Sequence, residues 1–370
     1  MSFDFAIIGA GIAGASLAAE LAPYGRTILL EAEDAPGYHA TGRSAAFWSE
    51  TYGGPRIQPL TTASHDFLAY PPAEFADRPF LDQYGALHIA DADGQSALAV
   101  FVAEFADSDV VLDELEATEI ARHIPGIAPG WTKGVFEPSC ADIDVAALHQ
   151  AYLRGAKRAG SQLCCNARVE ALAHEGENWA IGWRGHAIEA EVVINAAGAW
   201  ADDIAAMAGI QPLGITAYRR TMVQLRTDPA PPEKLPLVID ALGRFYFKSE
   251  AGGRLWLSPH DEIAVEPGDS APEEMDIAIA IARFKSAVDW KVEAVERKWA
   301  GLRSFAPDRL PVYGFDPLAR NFFWCAGQGG FGIQTAPAAA TLARALITAE
   351  PAASMVAAID PRIYAPDRLR

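Results

Sequence analysis

The chain has 370 residues, 51% hydrophobic and 21% charged, with 31 Gly and 25 Pro spread along it. At about 150 residues per domain this is a globular protein of two domains, or of one core with a large insertion, and not a collagen, a disulfide miniprotein or a disordered chain. Its net charge of −18, from 30 Lys+Arg against 48 Asp+Glu, repels phosphate backbones and anionic lipid heads, so no nucleic-acid or membrane-surface partner is expected. No run of 18 uncharged apolar residues predicts a transmembrane segment, and Met1-Ser2-Phe3-Asp4 lacks the start of a secretory leader, so a cytoplasmic location is expected. Cys140, Cys164, Cys165 and Cys325 have neither disulfide-framework nor zinc spacing, and the histidines form no metal motif.

The first predicted elements are a strand at Phe5-Ala6-Ile7-Ile8, a glycine turn, a helix from Ala13 to about Leu21 and a strand at Thr27-Ile28-Leu29-Leu30, which together make a βαβ unit. A second α/β stretch runs from Asp144 through a helix over Ala146–Ala159 to an apolar strand at Val192-Val193-Ile194. Arg244–Phe247 and Arg254–Leu257 flank Glu250-Ala251-Gly252-Gly253 and predict an antiparallel hairpin. Ile277, Ile281, Phe284 and Val288 then mark a helix lying on one face of such a sheet. A third α/β stretch leads from Phe322-Phe323-Trp324-Cys325 into an Ala-rich helix after Pro337. The expected class is α/β, with a discontinuous Rossmann-like domain (1–50, 140–215 and 310–370) interleaved with an α+β substrate domain (51–139 and 216–309) built on an antiparallel sheet.

Gly9-Ala10-Gly11-Ile12-Ala13-Gly14 follows a strand and opens a helix, which aims backbone N–H groups and the positive helix end at a pyrophosphate. Gly9 suits the tight turn, Gly11 the approach of the phosphates, and Gly14 the packing of helix on strand. Glu31 ends the second strand twenty residues after Gly11, where a carboxylate accepts hydrogen bonds from ribose hydroxyls. This unit holds NAD and FAD alike. Three further segments point to FAD: Thr41-Gly42-Arg43-Ser44-Ala45-Ala46, Asn195-Ala196-Ala197-Gly198-Ala199-Trp200, and Gly327-Gln328-Gly329-Gly330-Phe331-Gly332-Ile333. The last is expected to aim a helix N-terminus at the flavin pyrimidine ring.

With Gly37–Ala46, Ala141-Asp142-Ile143-Asp144, Trp299–Phe305 and Gln328–Gln334 added to these motifs, nearly the whole chain resembles the FAD-dependent amine oxidoreductases. That family includes D-amino-acid oxidase, glycine oxidase, sarcosine oxidase and the bacterial D-amino-acid dehydrogenases, and the D-arginine dehydrogenase type is the most similar. The resemblance implies hydride transfer from the α-carbon of an amino acid to flavin N5, giving an imino acid that water hydrolyses to oxo acid and ammonia. It extends the cofactor set to Ala32, Val169, Gly301 and Gln334. It also implies non-covalent FAD, because Ser304–Asp308 lacks the cysteine that anchors flavin in some relatives, and an acceptor that is oxygen or quinone-like.

Such chemistry needs a cation for the substrate carboxylate, a side-chain pocket and a positioned Cα–H. Arg303, in Gly301-Leu302-Arg303, is the first candidate for a bidentate carboxylate clamp, the alternative being an ion pair with Asp308. Arg220 matches a second pocket arginine, although neighbouring Arg219 would take that place if the strand register slipped by one. Tyr246, expected mid-strand, either assists the clamp or is a core tyrosine. Tyr52, before Gly53-Gly54, matches a mobile lid in a relative. Gly330 is also placed at the pocket. Relatives that take D-arginine carry an acid where this chain has Ala86, and a histidine where it has Phe47. Both changes remove polarity and shift the expected substrate toward uncharged or aromatic D-amino acids, with Phe47, Trp48 and Leu87 as walls and Glu50 able to restore a charge if it faces inward. No catalytic base is expected. The alternatives are oxidation of N-methyl or cyclic secondary amino acids or of 2-hydroxy acids on the same scaffold, and a flavin-binding scaffold without turnover.

Overall fold

The computed structural model describes all of residues 1–370. The first strand, Ser2–Ile8, pairs in parallel with Thr27–Leu30 on one side and His186–Asn195 on the other. Thr27–Leu30 continues to Gln162–Cys164, and the end of His186–Asn195 continues to Phe322–Ala326, also in parallel. The three predicted α/β stretches thus lie in one eight-stranded sheet. Its strands are apolar on both faces: Ala6 and Ile8 join one core cluster, Phe5 and Ile7 the other. Helices Ile12–Leu21, Val145–Arg158 and Ala336–Thr348 cover the second face.

A ten-stranded sheet stands against this one. Its backbone is the long antiparallel ladder of Thr216–Asp228 with Lys291–Phe305, continued by the hairpin of Tyr246–Glu250 and Arg254–Ser258. The first hairpin strand begins and ends later than predicted, so Tyr246 opens it instead of occupying the middle, while the second begins at Arg254 as predicted. Leu237–Asp240 then joins Ala86–Ala90 in parallel. Helix Glu274–Ala287 buries Ile277, Ala280 and Phe284 on one face of this sheet. Val288, predicted within that helix, is its extended C-cap. The other face, carrying Met222 and Tyr246, looks toward the parallel sheet. A small three-stranded sheet of Phe47–Trp48, Ala141–Ile143 and Leu81–Gln83 closes one side. No helix is long and apolar enough to cross a membrane.

Candidate active site

A cavity of about 410 Å³ runs between the two large sheets. One end lies where parallel strands finish, at Ile8, Leu30 and the segment after Asn195, which is the usual place for a ligand in an open α/β sheet. The other end reaches Arg220, Met222, Tyr246 and Arg303 on the antiparallel sheet.

At the first end, Gly9 has φ +101°, and a Cβ added there would lie 2.4 Å from Ala196 O, so only glycine lets the turn pass beneath the neighbouring strand end. A Cβ on Gly14 would lie 1.9 Å from Gly9 O, so that glycine serves helix-on-strand packing and does not line the cavity. Gly11 caps the helix without a side-chain hydrogen bond, which leaves the helix end open to an anion. Thr41 Oγ1 accepts from Ile12 N at 3.0 Å and ties the 37–46 segment to this turn. Glu31 accepts from Ala10 N at 3.0 Å and from Glu33 N at 3.1 Å, so its carboxylate braces the glycine turn while it borders the cavity.

Of the predicted cofactor residues, Gly9, Gly11, Ile12, Ala13, Glu31, Ala32, Thr41, Arg43, Ser44, Ala45, Val169, Ala197, Gly198, Trp200, Gly301, Arg303, Gly329, Gly330, Gly332 and Ile333 all line this one space. Gly42, Ala46, Phe331 and Gln334 do not. Gln334 instead donates to Thr61 Oγ1 and Tyr52 O and accepts from Ser49 N, which holds the 49–52 loop. Phe331 packs with Ile57 and Phe305. The regular helix begins only at Ala336, and Ser64 Oγ accepts from Ala338 N, so the turn before the helix, not the helix end, faces the cavity. The cradle at Gly9 and Gly11, the bordering Glu31 and the long shared space fit an adenine dinucleotide that extends to the antiparallel sheet. Cysteine is absent from the lining.

At the second end, strand alternation sorts the two arginines. Arg219 points to the helix side and donates to Glu273 and, at 2.7 Å, to Asp276. Arg220 points to the cavity, donating to Asp261 O at 2.7 Å and to Glu262 at 3.2 Å, while its Nη1 is buried without a partner. Burial, with the Arg303 cation beside it, pushes the Arg220 guanidinium below its ordinary pKa. Arg303 has no ion pair; Asp308, its predicted alternative partner, is taken by Arg368. Tyr246 is 4% exposed and its hydroxyl reaches Met222 Sδ at 3.1 Å, with Phe245 and Phe247 turned into the core on the far face.

A second cavity of about 210 Å³ shares Tyr246 and Arg303 with the first. Phe47 and Tyr52 stand at this junction, their ring centroids 5.2 Å apart. Trp48, expected as a wall, faces away, with its Nε1 donating to Thr61 O and its ring in another core cluster. Leu87 likewise lies on the far face of the sheet, in the core beside Phe247. Ala86 is fully buried behind Tyr246 and Met222 and borders neither cavity. Glu50 also borders neither; its carboxylate accepts from Thr62 and Ser139. The side chain one place on from Leu87 does line the space: His88, stacked on Phe101 at 4.2 Å. His260 lines it as well. Neither histidine was singled out from sequence. His88 was one alternation step away from Leu87, and only a correct facing of that strand would have found it.

The Tyr52 loop is held firmly. Glu137, whose strand position is level with Ala86, accepts from Ser49 Oγ, Thr51 Oγ1 and Glu50 N. Burial raises the pKa of its carboxyl, while these donors oppose that rise. Glu137 thus lies one strand over from Ala86, borders neither cavity and is fully engaged in bracing the loop.

The family model described as DAO, FAD dependent oxidoreductase, matches residues 4–346. Glycine oxidase of Pseudomonas aeruginosa is 26% identical, covering 99% of each chain. The bifunctional protein ThiO/ThiG of Synechocystis sp. is 24% identical over 98% of this chain, which spans only 54% of that relative's length. Among solved structures, L-proline dehydrogenase from P. horikoshii superposes with a TM-score of 0.84 at 20% identity, covering 99% of this chain and 97% of its own. With a family match across almost its whole length and a cavity shaped for the dinucleotide, the chain belongs to the DAO family of FAD-dependent oxidoreductases.

Proposed function

We propose that the protein oxidises D-amino acids with uncharged side chains to imino acids, which water hydrolyses to 2-oxo acids and ammonia. The observation that carries this reading is Arg303, a cavity-lining guanidinium with no carboxylate partner in the protein. An unpaired buried cation is costly unless a ligand supplies the charge, and a planar guanidinium matches a carboxylate in two-point geometry. Bound FAD supplies the hydride acceptor. Arg303 holds the α-carboxylate, and the unpartnered Nη1 of Arg220 offers a further donor at the same end. Tyr246 and Tyr52 wall the junction so that the carboxylate is fixed and water is excluded. As the Cα–H leaves with its electron pair, the amine lone pair forms the C=N bond, and the amine proton passes to solvent-linked water, so no side-chain base is assigned.

The D configuration and the kinship with D-arginine dehydrogenases rest on the family resemblance alone. The turn away from a cationic side chain is supported by Ala86 and by the engaged carboxylates of Glu137 and Asp240. FAD is proposed as non-covalent, with oxygen or a quinone-like compound as acceptor and the cytoplasm as location. The test is anaerobic bleaching of the flavin band by paired D- and L-amino acids, sarcosine, proline and 2-hydroxy acids. Fast bleaching by uncharged D-isomers with release of ammonia is the expected result. Bleaching only by secondary amines or hydroxy acids moves the reading to those substrates, and bleaching by none leaves a flavin scaffold.

A further inference from the structure

Two buried imidazoles are left unused by this chemistry. His88 Nε2 is a buried ring nitrogen without a hydrogen-bond partner, and His260 sets its Nδ1 beside Gly243. Buried polar atoms are nearly always paired, so the unpaired His88 nitrogen, with the His260 imidazole lining the same space, points to a ligand group that pairs there. Both residues line the second cavity, and that cavity meets the first only at Tyr246 and Arg303. A substrate whose carboxylate sits on Arg303 therefore has this space open to its side chain.

Size and lining narrow the occupant. A dry cavity of about 150 Å³ takes up benzene, so the 210 Å³ here holds an aromatic ring with a substituent. Phe47, Phe101, Leu98 and Ile239 supply apolar wall, and Phe101 stacks on His88. Asp240 also borders the space, but Arg244 engages both of its oxygens, so a cationic side chain finds no free carboxylate. Burial holds the His88 imidazole down to about 4, and burial with the Arg220 and Arg303 cations holds His260 down to about 2, so both rings are neutral near pH 7. A neutral imidazole offers one donor and one acceptor, which suits a hydroxyl or an indole N–H.

We infer that this second cavity is the side-chain site, and that His88 and His260 are specificity-determining residues for uncharged aromatic side chains bearing a hydrogen-bonding group. The inference rests on the amino-acid reading above. Its test uses the holoenzyme with D-tyrosine, D-phenylalanine, D-alanine and D-arginine as reductants. The expected order puts D-tyrosine ahead of D-phenylalanine and both well ahead of D-alanine and D-arginine in kcat/KM. In His88→Phe, which keeps the stack on Phe101 but removes the nitrogens, the preference for D-tyrosine over D-phenylalanine falls about tenfold, the loss of one hydrogen bond. An unchanged preference in that variant, or D-alanine or D-arginine ahead of the aromatics in the wild-type enzyme, overturns the inference while leaving amino-acid oxidation standing. Reduction by no amino acid overturns the underlying reading instead. In that case calorimetry with 4-hydroxyphenylacetate and phenylacetate reads the cavity directly. Tighter binding of the hydroxylated acid, lost in His88→Phe, upholds the aromatic site, and absence of binding removes it.

Discussion

Arg303 and Tyr52 face each other where the two cavities meet, the guanidinium carbon 5.8 Å from the ring centroid. Arg303 makes no ion pair, and this aromatic contact is weaker than one with the substrate carboxylate proposed above. Arg303→Ala is therefore expected to weaken substrate binding by about 2–5 kcal/mol. Flavin stays bound, because most of the cofactor cradle lies on the other sheet. The check is substrate Kd from anaerobic titration, and an unchanged Kd removes Arg303 from the clamp.

Tyr52 owes its place to Gly330. A Cβ added at Gly330 would lie 2.1 Å from Tyr52 Oη, so Gly330→Ala pushes the ring away from the junction. A phenol tip moves easily, and the fold survives. Expected is a rise in KM of about tenfold with near-native melting, the signature of a lost positioning contact worth roughly 1.4 kcal/mol. A native KM in this variant shows that the Tyr52 position is immaterial to substrate.

Glu31 acts through the backbone as much as through any ribose. Its carboxylate gathers Ala10 N and Glu33 N on the rim of the cavity. Glu31→Ala frees both amides and loosens the turn that carries Gly9 and Gly11. FAD affinity is expected to drop by about 1.5–3 kcal/mol, as for a hydrogen bond to a charged group, measured by the rise in free flavin fluorescence on dilution.

Glu137 is a stability residue with a functional address. Glu137→Ala leaves Ser49 Oγ, Thr51 Oγ1 and Glu50 N without their common acceptor. The cost is about 3 kcal/mol, seen as a lowered melting temperature in both apo- and holoprotein. Because Tyr52 follows directly on Thr51, KM rises too. A variant as stable as wild type contradicts the bracing role.

What could be read from sequence and what could not divides along one physical line. The glycine turn, Glu31 and the strand–helix–strand order all fall within one short stretch of chain, residues 2–31, and they appear where their residues predict. The pocket walls depend on which way a strand faces, a property with a period of two that a single misjudged step inverts. Phe47 and Arg220 fell on the cavity side; Trp48 and Leu87, judged by residue type, fell on the core side. Glu137 was invisible for a different reason: its importance comes from three donors in a loop more than eighty positions away.

The same buried imidazole that shapes the second cavity makes stability depend on pH. Burial lowers the His88 pKa from 6.5 to about 4. Above pH 6.5 the ring is neutral in folded and unfolded chains alike. As pH falls from 6.5 toward 4, the unfolded chain takes up a proton that the folded chain refuses, so stability is lost across that window, reaching about 3 kcal/mol below pH 4. His260, held near 2, adds a loss of the same sign over the same start of the window. His88→Phe removes the His88 share only. The melting temperature of the variant is therefore expected to fall less steeply than that of wild type between pH 7 and pH 4.5. Parallel curves would mean that His88 takes up its proton as readily in the fold as outside it, and so is not held neutral by burial.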